Sequence, residues 1–186
     1  MMIHPAWLGA FYGASEIAIS LFMRSKNKSN HADRGSLRMI WRVILVSMVS
    51  AALAAVYCRF AYFGGSSELY WIGFAIFVLG IALRWYSIAY LGRFFTVDVA
   101  VAADQHVIDT GPYRFIRHPS YSGALLGFLG FGLCVANYLT LLLLVIPIGI
   151  VFLYRIRIEE VALQAGLGES YKRYMQRTKR LIPFTY

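Results

Sequence analysis

The stretch from Pro119 to Tyr154, PSYSGALLGFLGFGLCVANYLTLLLLVIPIGIVFLY, contains no charged residue over 36 positions. An α-helix rises about 1.5 Å per residue, so one helix of this length would measure about 54 Å, against about 30 Å of bilayer hydrocarbon. We therefore predict two helices that turn at Ala136-Asn137-Tyr138. Such a hairpin is typical of an integral membrane protein, but each half is short for a crossing, so five and three complete spans both remain open.

Three more apolar runs precede this stretch, approximately Trp7 to Met23, Met39 to Phe63 and Leu69 to Leu91. Hydrophobic residues make up 59% of the chain, charged residues only 15%, and the mean hydropathy is +0.60. Soluble domains average about 45–50% apolar and about 25% charged residues. We predict an all-α integral membrane protein with about five transmembrane helices, as one domain over 1–186. It divides into three N-terminal helices (1–91) and a C-terminal part (92–186).

The basic residues are confined to alternate connections between the apolar runs. Sixteen of the 18 lysines and arginines lie in 24–42, 93–117 and 155–180, whereas 64–68 and 137–138 contain none. The positive-inside rule then places the C-terminus in the cytoplasm and the N-terminus outside, in an inner or plasma membrane. The net charge of +9 is thus explained by membrane lipids and topology, and it does not indicate a nucleic-acid partner. The N-terminus carries no basic cluster, which argues against a cleaved signal peptide.

Two charges, Glu16 and Arg84, lie inside apolar runs. A charge within the bilayer is costly unless it is paired or hydrated. The predicted topology brings both residues somewhat past mid-depth, so we hypothesise that they form an ion pair.

Small residues in the apolar runs are interpreted as packing residues. Gly123 and Gly127 form a G-x-x-x-G pattern, which allows a neighbouring helix to approach closely. The glycine-rich run 127–132 lacks the strand–turn–helix context of a dinucleotide loop. Cys58 and Cys134 both lie in apolar runs, so neither a disulfide framework nor a metal site is predicted.

Two polar segments, Leu91 to Tyr121 and Arg155 to Phe184, are predicted to face the cytoplasm, and both are longer than ordinary connections of about 4–6 residues. In the first, 109–112 predicts a turn and Pro119 suits the first position of a helix. The free N–H groups and positive dipole end at that helix start would suit an anionic group. His118 belongs to this site, or it is only a helix cap or an interfacial anchor.

The second polar segment is predicted to continue the fifth helix out of the membrane as an amphipathic extension. Arg155 and Glu159 are four residues apart and share one helical face, where they form either part of a site or a local salt bridge. Glu160 points about 100° away and cannot serve the same site without a bend. Tyr171 and Tyr174 are expected to pack on one side of the extension.

Together these segments resemble a known family. GPYRFIRHPSYSG (111–123), followed by RIRIEE (155–160) and GESYKRY…LIPF (168–184), is similar to the isoprenylcysteine carboxyl methyltransferases over roughly half of the chain. Larger eukaryotic members carry additional helices, so this short form resembles the prokaryotic branch. Phospholipid methyltransferases and membrane sterol reductases share parts of the C-terminal pattern.

The resemblance implies an S-adenosyl-L-methionine site without a Rossmann fold, and it implies that Arg155 is the substrate-side arginine. The implied cofactor contacts are Gln105, His106, Val107, Ile108, Tyr113, His118, Pro119, Ser120, Tyr121 and Glu159. The family often has histidine where this chain has Gln105, with His106 next to it. A gapless match would also bring Asp98 near the cofactor, although that stretch aligns poorly.

The residues fit methyl transfer to a carboxylate. A sulfonium donor is already activated and a carboxylate is ionised near neutral pH, so no general base is required. What remains is to hold donor and acceptor in line, an effect of roughly 7–11 kcal/mol. We hypothesise that Arg155 holds the carboxylate of a lipophilic substrate that enters from the bilayer. Glu159 is then expected to hold the cationic or polar part of the cofactor.

Three other functions remain open, and the sequence does not decide the oligomeric state. One is N-methylation of a phospholipid amine, which would need a base to generate the neutral amine. Another is a nicotinamide-dependent membrane reductase, an enzyme class with a similar C-terminal tail but usually more spans. The last is a non-catalytic membrane scaffold, for which the long charged segments give no special reason.

Overall fold

The computed structural model describes residues 2–22, 35–97, 101–102 and 104–183. In this part of the chain the structure is helical, with two isolated backbone bridges and no strand. The helices are α1 (Pro5–Phe22), α2 (Ser36–Tyr57), α3 (Ser67–Leu91), α4 (Pro119–Val135) and α5 (Tyr138–Arg177), with short 3-10 turns at Arg59–Ala61, Gly92–Phe94 and Gly111–Arg114. The predicted all-α fold is confirmed.

The turn of the hairpin lies where the sequence predicts it. Helix α4 ends at Val135, Ala136 adopts a left-handed conformation with φ 54°, and Asn137 caps α5 by accepting a hydrogen bond from Thr140 N at 3.0 Å. The Asn137 amide also donates to the carbonyl oxygen of Cys58 at 3.0 Å. One polar side chain thus starts α5 and fixes the hairpin turn to the end of α2.

Helices α3 and α4 pack backbone to backbone along a line of glycines. A Cβ added to Gly80 would lie 2.7 Å from the carbonyl oxygen of Gly123, and a Cβ on Gly123 would lie 2.6 Å from that of Gly80. The Cβ on Gly80 would also collide with the backbone N of Gly127. The close approach predicted from G-x-x-x-G is confirmed, and its partner on α3 is Gly80.

The connections divide between the two ends of the bundle. At one end, Phe63 N donates to the Ala136 carbonyl at 3.1 Å, and the Tyr70 hydroxyl donates to the Ile3 carbonyl at 2.7 Å. The loop after α2, the α4–α5 turn and the N-terminus therefore lie together, and the other end holds the start of α2 and both long polar segments. This division agrees with the alternation of basic and uncharged connections in the sequence.

Three helices in the described residues are long and apolar enough to cross a membrane: Ser36–Tyr57, Ser67–Phe94 and Tyr138–Arg177. Helix α1 has 18 residues and α4 has 17. The membrane character is supported by these spans, and the total of five crossings stays a prediction.

Helix α5 runs for 40 residues and contains both the apolar half of the hairpin and the polar extension. It contains Pro147 in its apolar half and departs from helical geometry at Gly168 (φ 58°, ψ −135°) in the extension. Tyr171 and Tyr174 are buried while the two residues between them are exposed, as predicted for an amphipathic extension.

Candidate active site

A large cavity opens at the end of the bundle where the polar segments meet. Its walls come from α1, α2, the end of α3, the loops on either side of 98–100, the start of α4 and the middle of α5. The space between its walls, counted together with the open solvent at its mouth, is about 1340 Å³. Its most apolar side consists of membrane-helix residues: Ile19, Leu37, Ile40, Trp41, Ile44 and Phe152.

The cavity collects ten of the eleven residues that the sequence analysis assigned to the site. They are Gln105, His106, Val107, Ile108, Tyr113, His118, Ser120, Tyr121, Arg155 and Glu159. Pro119 is the exception, because it is fully buried at the first position of α4 and does not line the cavity. Its fixed φ starts the helix, so its contribution is to the backbone. Asp98 lies outside the described residues.

Arg155 is the most deeply buried charged side chain of the cavity wall, with 2% of its surface exposed. One guanidinium nitrogen, Nη1, donates to the hydroxyl of Ser36 at the start of α2. The other, Nη2, donates to the carbonyl oxygen of Val97 at 2.5 Å. The guanidinium is therefore held between α5, α2 and the loop after α3, at the edge of the apolar wall.

Glu159 and Tyr121 join α5 to α4 across the cavity. The Tyr121 hydroxyl donates to Glu159 Oε2 at 3.2 Å. The Tyr121 ring packs against Phe152 and His118, with centroids 5.0 Å and 5.9 Å apart. A carboxylate on the cavity wall is a suitable partner for a cationic ligand group.

His118 occupies the N-cap position of α4, but its side chain makes no capping hydrogen bond. The side chain therefore does not contribute to capping the helix, and its assignment to the site stays a prediction. The imidazole is 5% exposed, and its Nε2 lies 3.4 Å from Oε1 of Glu160. Glu160 lies behind the cavity wall, as its angular offset from Glu159 predicts, and accepts hydrogen bonds from Arg117 at 2.8 Å and Arg180 at 3.0 Å.

A C-terminal strap, residues 178–181, holds the segment that precedes α4. Arg117 N donates to the Lys179 carbonyl at 2.8 Å, and His118 N donates to the Arg180 carbonyl at 3.0 Å. The hydroxyl of Ser122 donates to the Leu181 carbonyl at 2.6 Å. The C-terminal strap thus packs beside the cavity and holds the backbone at His118 in place.

Tyr113 is held from two sides. Its hydroxyl donates to the Ser87 carbonyl at 3.1 Å, and its own carbonyl accepts from the Tyr174 hydroxyl at 2.6 Å. Burial and the nearby Glu159 carboxylate raise the pKa of the Tyr113 hydroxyl, so this group remains a protonated donor at neutral pH. Tyr113 therefore anchors the loop to α3 and cannot act as a base.

The run 105–108 forms the loop side of the cavity. Gln105 Oε1 accepts from Ala102 N at 3.0 Å, closing a local turn. The His106 ring meets the Phe94 ring edge to face, with centroids 5.2 Å apart. The structure thus brings Gln105 and His106 to the cavity.

The predicted pair of Glu16 and Arg84 is confirmed, and it also lines the cavity. Arg84 Nε lies 2.5 Å from Glu16 Oε1, and Nη2 lies 2.6 Å from Oε2, in a bidentate arrangement. The remaining Nη1 donates to the carbonyl oxygen of Ser120 at 3.2 Å. The sequence predicts the pair but not its position beside Ser120, because that position depends on how α3 packs against α4.

Several other lining residues were not assigned to the site, and the aliphatic ones among them carry no chemical signal in the sequence. They include Val97, Val101, Arg117, Leu163, Leu167, Tyr171 and Tyr174. Arg117 and the tyrosines belong to the quoted motifs, which could have identified them. Within 2–22, 35–97, 101–102 and 104–183, no group of three or more potential metal ligands occurs.

Comparison with known proteins identifies a family and a fold. Residues 69–170 match the family described as phospholipid methyltransferase. The protein-S-isoprenylcysteine O-methyltransferase B of Arabidopsis thaliana is 27% identical over 180 residues, covering 94% of this chain and 83% of the plant protein. The corresponding enzyme of Tribolium castaneum is 31% identical over 128 residues, covering 66% of this chain and 46% of the insect protein.

A solved structure shares the fold. It is a eukaryotic intramembrane Ras methyltransferase, isoprenylcysteine carboxyl methyltransferase, with a TM-score of 0.70 and 24% sequence identity. The alignment covers 95% of this chain and 64% of that structure. The likeness extends over nearly all of this chain and confirms the helical membrane fold.

Proposed function

The chain belongs to the phospholipid methyltransferase family, and from this premise we propose that it transfers a methyl group from S-adenosylmethionine to the carboxylate of a lipophilic, isoprenylcysteine-like substrate. The observation that carries the proposal is the position of Arg155. Its guanidinium lies in the cavity wall between the apolar surface of α2 and the polar surface of α4 and α5. A lipid carboxylate needs such a boundary, because its chain is apolar and its head is charged.

The two sides of the cavity suit two different ligands. Side chains such as Ile40, Trp41 and Phe152 belong to the membrane helices and suit a prenyl or acyl chain. The polar lining residues include Glu159 and Gln105, which lie at the end of the bundle that carries the basic connections. We infer that the lipid enters from the bilayer and the water-soluble cofactor from the cytoplasm.

The residues present fit S-adenosylmethionine. Glu159 and the Tyr121 hydroxyl would hold its cationic amino-acid end, and the run 105–108 would contact the remainder. When bound, this cofactor supplies a methyl group on a sulfonium, which needs no further activation. Glu159 is fixed by its hydrogen bond to Tyr121, so the carboxylate is oriented before any ligand arrives.

The proposed role of Arg155 is to orient the acceptor carboxylate. A carboxylate near neutral pH is already ionised, so the site needs no proton transfer before methyl transfer. The planar guanidinium of Arg155 can hold one carboxylate oxygen while the other faces the donor. The surrounding apolar side chains exclude water from the reacting oxygen. Holding both partners in line accounts for roughly 7–11 kcal/mol of the barrier in such reactions.

Arg155→Ala tests the proposal directly. We expect the rate of methyl transfer to N-acetyl-S-farnesylcysteine to fall at least about 100-fold, because the variant loses one contact that stabilises charge in the transition state. Its affinity for S-adenosylmethionine should stay within about twofold of that of the wild type, by the same reasoning. The matched control is Arg157→Ala, which removes an exposed arginine of the same motif and should be neutral. Turnover of Arg155→Ala equal to that of the wild type would reject the assignment.

The product identifies the reaction class. Methyl label on a carboxyl ester is released as methanol in base, whereas label on a phospholipid nitrogen is retained. We expect base-labile label with the prenylcysteine and no base-stable label with phosphatidylethanolamine vesicles. Thermal stabilisation of the detergent-solubilised protein by S-adenosylmethionine, with none by NADPH, would exclude the reductase alternative. The reverse outcomes would favour the amine methyltransferase or the reductase.

A further inference from the structure

We infer that Ser36, the first residue of α2, is a positioning residue that orients the Arg155 guanidinium toward the substrate carboxylate. The inference rests on the proposed function and extends it to a helix that the family motifs do not include. Ser36 lies 119 positions before Arg155 in the chain, yet its hydroxyl accepts a hydrogen bond from Arg155 Nη1.

The local backbone brings the Ser36 side chain to Arg155. Gly35 precedes the helix with φ 73°, in the left-handed region that glycine adopts without strain, so the chain can turn sharply into α2. Ser36 does not cap its own helix, because the N-cap position belongs to Gly35, which has no side chain to cap it. Its hydroxyl instead accepts from Arg155, and Ser36 is 2% exposed.

Two oxygen acceptors hold the plane of the guanidinium from different sides. Ser36 Oγ holds Nη1 from the α2 side, and the Val97 carbonyl holds Nη2 at 2.5 Å from the loop side. One bond goes to each terminal nitrogen, so together they orient the planar fork of the guanidinium. Losing the Ser36 bond should therefore loosen the orientation of the fork toward the acceptor carboxylate.

Helix α2 also supplies part of the apolar wall. Leu37, Trp41 and Ile44 follow Ser36 on this helix and line the same cavity. The surface that would contact the lipid chain is therefore rigidly connected to the residue that orients Arg155. Ser36 thereby places the carboxylate contact at a fixed distance from the chain-binding wall.

The test compares binding of a carboxylate with binding of its neutral ester. In the wild type, N-acetyl-S-farnesylcysteine should bind more tightly than its methyl ester, because only the acid pairs with Arg155. In Ser36→Ala we expect this preference to fall about tenfold, as for one lost hydrogen bond to a charged group, with unchanged affinity for the ester and for S-adenosylmethionine. Ser36→Thr, which keeps the hydroxyl, should restore the preference to within about threefold of the wild type, by the same reasoning.

Ser47→Ala is the matched control, since Ser47 is a buried serine on the same helix that does not line the cavity. It should leave the acid-to-ester preference unchanged. An unchanged preference in Ser36→Ala would overturn the inference. An equal loss of affinity for acid and ester, together with a lowered melting temperature, would also overturn the inference, because it would show that Ser36 acts through helix packing. No preference in the wild type would instead reject the proposed carboxylate substrate.

Discussion

Glu159 and Glu160 are adjacent in the chain, but successive residues of a helix are rotated by about 100°, so their carboxylates face different surroundings. Glu159 lines the cavity and accepts from Tyr121. Glu160 is buried behind the wall, where it joins Arg117 of the loop to Arg180 of the C-terminal strap. One acidic residue therefore faces the ligand, and its neighbour holds together the backbone around His118.

This difference predicts separate effects of two equivalent substitutions. Glu160→Gln should lower the free energy of unfolding by about 3 kcal/mol, because it leaves a largely buried arginine without its carboxylate. Glu159→Gln should keep the melting temperature and weaken S-adenosylmethionine binding about tenfold, as for one lost charge-assisted contact. Thermal unfolding and titration calorimetry in detergent measure the two effects. Glu169→Gln, an exposed control, should be neutral, and identical behaviour of the two adjacent variants would contradict the division.

At the scale of single residues, the sequence predicted those site residues whose side chains have a distinctive chemistry. His118, Arg155 and Glu159 have reactive side chains in a recognisable pattern, and the cavity contains them. Ser36 and Val97 have no such pattern, because a hydroxyl at a helix start and a loop carbonyl occur in every protein. Their contacts with Arg155 arise from tertiary packing and could not be read from local sequence.

At the scale of helices, the glycine contacts between α3 and α4 have a measurable consequence. Gly80→Ala places a methyl group 2.7 Å from the Gly123 carbonyl oxygen, so the two helices must separate. We expect a loss of about 1–3 kcal/mol in stability and a loss of activity, because Arg84 and Ser120 are joined across the same interface. Gly149→Ala is the control, since its Cβ would meet only Leu125 at 3.9 Å. A melting temperature of Gly80→Ala equal to that control would refute the close packing.

The ion pair of Glu16 and Arg84 connects α1 to α3, and through Ser120 to α4. Removing one partner leaves a charge without its counter-ion at a site where the side chains are only 11–13% exposed. Glu16→Ala should therefore destabilise the protein by about 2–4 kcal/mol, and the double Ala variant should be less damaged than the single one. A double-mutant cycle on thermal unfolding measures the coupling. Purely additive losses would show that the two charges do not stabilise each other.

Helix positions were largely predictable, whereas helix ends and the strap were not. The turn at Asn137 was predicted because an uncharged run of 36 residues cannot remain one membrane helix. Helix α2 ends at Tyr57 and not near Phe63, because a 3-10 turn occupies 59–61 and the Asn137 amide binds the Cys58 carbonyl there. The pairing of 179–181 with the segment around His118 uses backbone atoms mainly, and backbone hydrogen bonds leave little trace in side-chain patterns.

At the scale of the whole molecule, the distribution of basic residues and the packing of the helices independently divide the chain into the same two ends. The turn at Tyr138 lies beside the loop after α2, where the Phe63 and Tyr138 rings are 4.3 Å apart. Lys172 lies at the opposite, basic end, on the extension of α5. If α2 and α3 cross the membrane completely, this contact places the hairpin turn at the same outer surface, which would give five crossings.

Single-cysteine labelling tests this arrangement in intact spheroplasts of a bacterial expression host. With Cys58 and Cys134 changed to Ala, the variants Ser67→Cys, Tyr138→Cys and Lys172→Cys each carry one thiol at an exposed position. We expect a membrane-impermeant maleimide to label the first two in intact spheroplasts and the third only after lysis, because the positive-inside rule retains the basic end in the cytoplasm. Labelling of Ser67→Cys without Tyr138→Cys would mean that the hairpin stops short of the outer surface. Labelling of Lys172→Cys in intact spheroplasts would mean that the basic end faces outward. The cavity would then open away from the cytoplasm, which would contradict the proposed reaction, since S-adenosylmethionine is taken from the cytoplasm.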